Sequence, residues 1–174
     1  MICKDHQLCA LAREGMQVAP ATLLDTMLDT SVRVGTSTPE ADPWGDYAFA
    51  LLAKTDKQKS GARTILESKA LQLTGGPTSE KAPDGKNLYG WVMASGKADV
   101  FLTNCTNAVL AQKDVPSLQI VQIPPDLNVA ADYGLIVLKD APPAAQALAQ
   151  FILGDEGQAI LVKYGFGRGD GALR

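Results

Sequence analysis

The 174-residue sequence predicts an α/β fold built around a largely parallel sheet. Three observations carry that reading. Short β-prone runs alternate with helical stretches along the whole chain. The strand runs are apolar at successive positions, as strands covered on both faces require. Proline and small polar residues, which start helices, follow several strand ends closely.

Taken in order, "QLCALA" (7–12) reads as a buried strand and "APATLLDTMLD" (19–29) as a short helix with Pro20 in its first turn. "SVRVGTS" (31–37) is a second strand, followed by helices over 45–57 and 61–70. "LQLTGG" (71–76) is a strand closing on a glycine turn, and "PTSEKAPDGK" (77–86) is a loop rich in Pro, Gly, Ser and charge. A helix over 87–97, the strand "ADVFLTN" (98–104) and the helix "CTNAVLAQ" (105–112) come next. "LQIVQI" (118–123) and "DYGLIVLK" (132–139) read as strands, and helices over 142–153 and 156–166 close the pattern.

Apolar residues make up 46% of the chain and charged residues 20%, enough for one ordinary core. A net charge of −3 argues against nucleic acid or an acidic membrane as partner, since both need a basic face. No apolar run approaches the roughly 18 residues of a membrane span. His6 is the only histidine, so a histidine metal site or a Ser-His-Asp triad is hard to build. Cys3, Cys9 and Cys105 show no paired spacing, and buried free thiols are the expectation. The first residues lack the apolar core and cleavage site of a signal peptide.

Open α/β sheets gather ligands where strands end and helices begin. Two such junctions stand out. In "RVGTSTPEADPWGDYAFALL" (33–52), Asp42 fits a helix cap and Pro43 the first helical residue. That arrangement would leave the amides of Trp44 and Gly45 facing a small anion, with Gly45 permitting close approach. In "DVFLTNCTNAV" (99–109), Thr103, Asn104 and Thr106 are neutral donors for an oxyanion. The plain alternative at either junction is a helix cap that binds nothing. An enzyme using Cys105 as a nucleophile at a helix start is a rival reading, though no base stands at recognisable spacing.

Taken together, "RVGTSTPEADPWGDYAFALL", "SGKADVFLTNCTNAV", "DYGLIVLKDAPPAAQALAQFIL" and "GQAILVKYGF" resemble the molybdate-binding periplasmic components of ABC transporters. The resemblance runs from about Gln7 to Phe166. It implies a type II periplasmic-binding-protein fold of two α/β lobes with an oxyanion held between them. On that pattern residues 13–130 form the second lobe, while 1–12 and 131–174 supply crossing strands and C-terminal helices of a first lobe. The N-terminal segment of that first lobe, with its two serine-type ligands, would be missing.

The resemblance further implies that Trp44, with Gly45 beside it, and the helix start near Lys86 offer backbone contacts to the ligand. Asn104 stands where the family commonly has a tyrosine. Molybdate or tungstate would be held as an oxyanion by neutral donors, with no cofactor, no coordinated metal cation and no catalysis; sulfate or phosphate is the alternative ligand. The implied partners are a membrane permease of an ABC transporter and, because the first lobe would be incomplete, further copies of the chain. The implied location is the periplasm.

Overall fold

The computed structural model describes residues 2–169. It is a mixed α/β structure with a mostly parallel central sheet. The strands are β1 (Cys3–Ala12), β2 (Val34–Ser37), β3 (Leu71–Thr74), β4 (Val100–Asn104), β5 (Gln119–Gln122) and β6 (Ala130–Tyr133). The helices are α1 (Leu23–Leu28), α2 (Pro43–Lys54), α3 (Ala62–Lys69), α4 (Leu88–Ala94), α5 (Cys105–Asp114), α6 (Pro143–Leu153) and α7 (Asp155–Lys163).

The chain divides into two compact units, residues 8–129 and residues 1–7 with 130–174. In the larger unit the strand order is β3-β2-β4-β1-β5. β2 is parallel to β3 and to β4, whereas β1 is antiparallel to both β4 and β5. One reversed strand therefore lies inside an otherwise parallel sheet. The chain winds outward from β2 to β3, then crosses back to β4 on the other side. That reversal between β2 and β4 is the topological switch point, where such sheets open a crevice at their carboxyl ends.

Both faces are covered, and the strand period of two explains how. Leu8, Ala10 and Ala12 of β1, with Val100 and Leu102 of β4, pack with Leu23, Met27, Leu51, Leu52 and Leu66 of α1, α2 and α3. Cys9, Leu11 and Phe101 point the other way, onto Val92, Met93, Ala108 and Ala111 of α4 and α5. The continuous apolar runs are thus two alternating sets, each with its own layer of helices.

In the smaller unit the first half of β1 pairs antiparallel with β6, matching Cys3 to Tyr133 and Gln7 to Ala130. The strand expected over 132–139 is not formed beyond Tyr133, and residues 8–11 pair with β4 and β5. The register that puts Cys3 opposite Tyr133 leaves residues 135–138 with no stretch of β1 to face. They are not in a strand, and Ile136 and Leu138 are 89% and 75% exposed. The His6 ring is buried against Tyr133 and Phe166, with centroids 5.4 and 4.6 Å away. Gln158 ties α7 down by donating to the carbonyls of Ile2 and Ile152, both at 2.9 Å.

A candidate oxyanion site at the carboxyl ends of the parallel strands

Asp42 caps α2 and Pro43 begins it, as the sequence indicates. The two amides are nevertheless not free. Trp44 N–H donates to Asp42 Oδ1 at 3.0 Å, and Gly45 N–H donates to the Asp42 carbonyl at 2.8 Å. The loop before the helix folds back on itself and consumes them. Thr38 N–H donates to the Thr74 carbonyl (2.9 Å) and Asp42 N–H to the Thr38 carbonyl (3.0 Å). Glu40, in the left-handed region at φ 64°, is fixed by its N–H donating to Asp46 Oδ1 at 2.8 Å.

Gly45 has a different reason from the one expected. A Cβ there would lie 2.5–2.6 Å from the carbonyl carbon and oxygen of Thr38 and the nitrogen of Pro39. The glycine admits the close approach of its own loop.

At the second junction Asn104 ends β4 and caps α5. Its Oδ1 accepts from Asn107 N–H and from the Thr106 hydroxyl, both at 2.6 Å. The Asn107 side-chain amide donates in turn to Thr103 Oγ1 at 3.2 Å. Thr106 and Asn107 are half-buried, and Asn104 is 3% exposed.

The residue that reasoning from sequence missed is Tyr89. Its ring stands edge-on to Phe101 of β4, with centroids 5.4 Å apart, in the layer of α4 and α5 over the sheet. At the strand ends Ser37 Oγ and Thr74 Oγ1 share a hydrogen bond of 2.8 Å. Burial pushes the phenol pKa up, so Tyr89 remains a neutral donor. Its place in "NLYGWVM" signals only a helix, because its ring partner Phe101 lies on a strand that no local pattern connects to it.

Lys86 is not brought to Asn104. The neighbouring Asn87 N–H donates to Asp114 Oδ2 at 3.1 Å, and Asp114 is the last residue of α5. Asn104 stands at the start of that ten-residue helix, roughly 15 Å along its axis.

Cys105 is not a free thiol either. It is bonded to Cys9, across a Cα–Cα distance of 4.9 Å, which corrects the expectation of free thiols and removes the nucleophile of the rival enzyme reading. Cys3 is buried and takes no part in this disulfide. The register explains the bridge: Cys9 lies opposite Thr103, so the chain turning into α5 brings Cys105 over β1.

Fixed charge is concentrated at the other end of the sheet. Asp99 lies just before β4 and accepts from Arg13 Nε (2.6 Å) and from Arg33 N, Nε and Nη2 (2.8–2.9 Å). The hydrogen bonds from Arg33 hold its carboxyl well below the usual carboxylate range. At the carboxyl ends Glu40, Asp42 and Asp46 belong to the loop and first turn of α2, while the strand ends themselves supply uncharged hydroxyls and amides.

A family profile described as bacterial extracellular solute-binding protein matches residues 5–167. An uncharacterized protein of Pasteurella multocida is 34% identical over 112 residues, which are 64% of this chain and 46% of that protein. Among solved structures, a substrate-binding domain assigned to a molybdenum ABC transporter of Clostridium difficile superposes with a TM-score of 0.66 at 18% identity. That match covers 97% of this chain and 66% of the other. PEB3 of Campylobacter jejuni, bound to L-phospholactate, gives a TM-score of 0.68 at 16% identity over 95% of this chain and 68% of PEB3. The chain thus spans about half to two-thirds of the length of these relatives. The matched profile covers nearly the whole chain, and the chain belongs to the family of bacterial extracellular solute-binding proteins.

Proposed function

We propose that the chain is part of a solute-binding component of an ABC importer whose ligand is a tetrahedral oxyanion, molybdate or tungstate. One observation carries the reading: neutral donors converge at the carboxyl ends of β2, β3 and β4, on both sides of the switch point. The side-chain amide of Asn104 is the group assigned to the ligand, its Oδ1 being held by Thr106 and Asn107, while Trp44 and Gly45 shape the loop that carries Thr38. Molybdate and sulfate carry equal charge and differ in size. Neutral donors at fixed positions can therefore gauge size, where a cationic side chain would bind both.

The working partner is a membrane permease, and the location is the periplasm. The Cys9–Cys105 disulfide supports that location, since such bonds persist in oxidising compartments. A second reading, a small phosphorylated carboxylate as ligand, is favoured by the likeness to a structure solved with L-phospholactate. Competition calorimetry tests the two. The expected result is heat on adding molybdate that excess sulfate fails to suppress. Binding of phospholactate with no response to molybdate would favour the second reading.

A further inference from the structure

We propose that the Cys9–Cys105 disulfide positions Asn104 for its ligand, so that oxyanion affinity depends on the thiol–disulfide state of the chain. The inference rests on the oxyanion reading above and adds to it a covalent element and a form of control. Three consecutive residues at the end of β4 are held by one short stretch of β1. Thr103 pairs with Cys9 and Asn104 with Leu8 in the antiparallel register, and Cys105 is bonded to Cys9 through sulfur. Asn104 therefore has both its neighbours fixed to the same residue. The base of this clamp is itself pinned. The Asn128 side chain accepts from Leu8 N–H at 3.2 Å and donates to the Leu8 carbonyl at 3.3 Å.

Asn104 caps α5 and Cys105 is its first residue, so the bridge fixes where the helix starts. The Asn107 N–H at 2.6 Å can be met only by Oδ1, which leaves the amide nitrogen of Asn104 as the end that serves an anion. The other junction has no covalent tie. There Asp42 caps α2 by accepting from Trp44 N–H at 3.0 Å, and Thr38 N–H donates to the Thr74 carbonyl. Cys9 is fully buried and Cys105 is 8% exposed, so a dithiol reaches the bridge through Cys105. Its thiolate attacks Cys105 Sγ, and Cys9 leaves and takes up a proton. The second thiol then closes the reductant's own disulfide and releases Cys105, so two electrons and two protons pass to the protein. With the bond open, the first turn of α5 is held by hydrogen bonds alone and Asn104 regains freedom to move.

The test measures sodium molybdate binding by calorimetry on the oxidised chain and on the double variant Cys9→Ala/Cys105→Ala, with near-UV circular dichroism reporting that both are folded. The variant should bind about 10-fold more weakly, the low end of what one hydrogen bond to a charged group contributes. Binding and reduction are linked, so saturating molybdate should make the wild-type bridge about 10-fold harder to reduce in a dithiothreitol redox buffer, a potential lower by about 30 mV. A bridge that only stabilised the fold would move neither reading in chains that stay folded. Equal affinities, or a potential unmoved by molybdate, would overturn the positioning role while leaving the oxyanion reading standing. Should the variant fail to fold, hydrogen exchange on the oxidised chain decides. Corrected for intrinsic rates, the Asn107 N–H capped by Asn104 should exchange at least about 10-fold more slowly than the Trp44 N–H capped by Asp42. Equal or reversed rates would overturn the clamp. An oxidised chain that binds no molybdate would overturn the oxyanion reading itself, and this inference with it.

Discussion

The two units of the chain solve the burial problem differently. In residues 8–129 both faces of the sheet are covered, and Phe101, Leu11, Leu51 and Leu66 are fully buried. In residues 1–7 and 130–174 a two-stranded pairing and two helices leave Leu148, Phe151, Ile160 and Val162 about half exposed. An open apolar groove of ≈ 360 Å³ there is lined by Leu135, Ile136, Leu138, Leu148 and Ile152. Single exposed apolar residues are ordinary, but a contiguous set of this kind favours association. The larger unit therefore holds the folding core and the candidate site, while the smaller one leaves a contiguous apolar surface open.

The largest expected effect is on the disulfide, because it lies wholly within the larger unit. The cysteines are 96 residues apart, and closing a loop of that size stabilises a fold by about 4–5 kcal/mol on the chain-entropy account. Denaturant unfolding with and without reductant should show a loss near that size. A midpoint unmoved by reduction would break the claim that this unit is the stapled one.

Next comes a pair of phenylalanines. Phe101→Ala should cost about 3–5 kcal/mol, as cavity formation in a packed core does. Phe151→Ser, at a residue 45% exposed, should change stability by no more than about 0.5 kcal/mol. Sedimentation of the second variant should show weaker self-association than the wild type. Similar stability losses in the two would erase the contrast between the units.

Gly45→Ala is expected to cost about 1–3 kcal/mol by overpacking, since the new Cβ meets backbone that cannot rotate away. A variant as stable as the wild type would show that the Thr38–Asp42 loop yields more easily than its hydrogen bonds suggest.

The smallest effect separates the units by pH. Burial lowers the pKa of His6 below its ordinary 6.5, so the unfolded chain binds that proton first as pH falls. The stability that neutral His6 allows is complete above pH 6.5 and declines below it, in the smaller unit. The pKa of Asp99 is depressed below its ordinary 3.8, chiefly by hydrogen bonds from Arg33, and its contribution is complete above that value. The larger unit should therefore lose stability only as pH falls below about 4. Hydrogen exchange across that range should show residues near Tyr133 and Phe166 opening before β4; the reverse order would contradict both assignments.

Much of this fold was legible because it is written in local pattern. The Asp42 cap, the Pro43 start and the strand runs ending at Ser37 and Asn104 each declare themselves within a few residues. What was hidden depends on pairing between distant segments. The run 132–139 reads as one strand, yet only Asp132 and Tyr133 lie in β6, and the β1–β6 register supplies no partner for the rest. The disulfide follows from Cys9 lying opposite Thr103, a fact of sheet order that cysteine spacing does not carry. At the site, the residue types at both junctions were visible but their hydrogen-bond partners were not. The Trp44 and Gly45 amides looked open because sequence shows a helix start without the loop that folds back on it. Tyr89 reaches the strands from α4, and only three-dimensional packing connects them.

The central claim is that neutral donors at the carboxyl ends of β2 and β4 receive a tetrahedral oxyanion. Residue-resolved NMR titration of the chain with sodium molybdate tests it most directly, because weak binding still moves amide signals. The account predicts saturable shifts at Thr38, Thr103, Asn104 and Thr106, with Arg13, Arg33 and Asp99 at the opposite end unmoved. Shifts centred on Arg13 and Arg33, or none at any concentration, would contradict it.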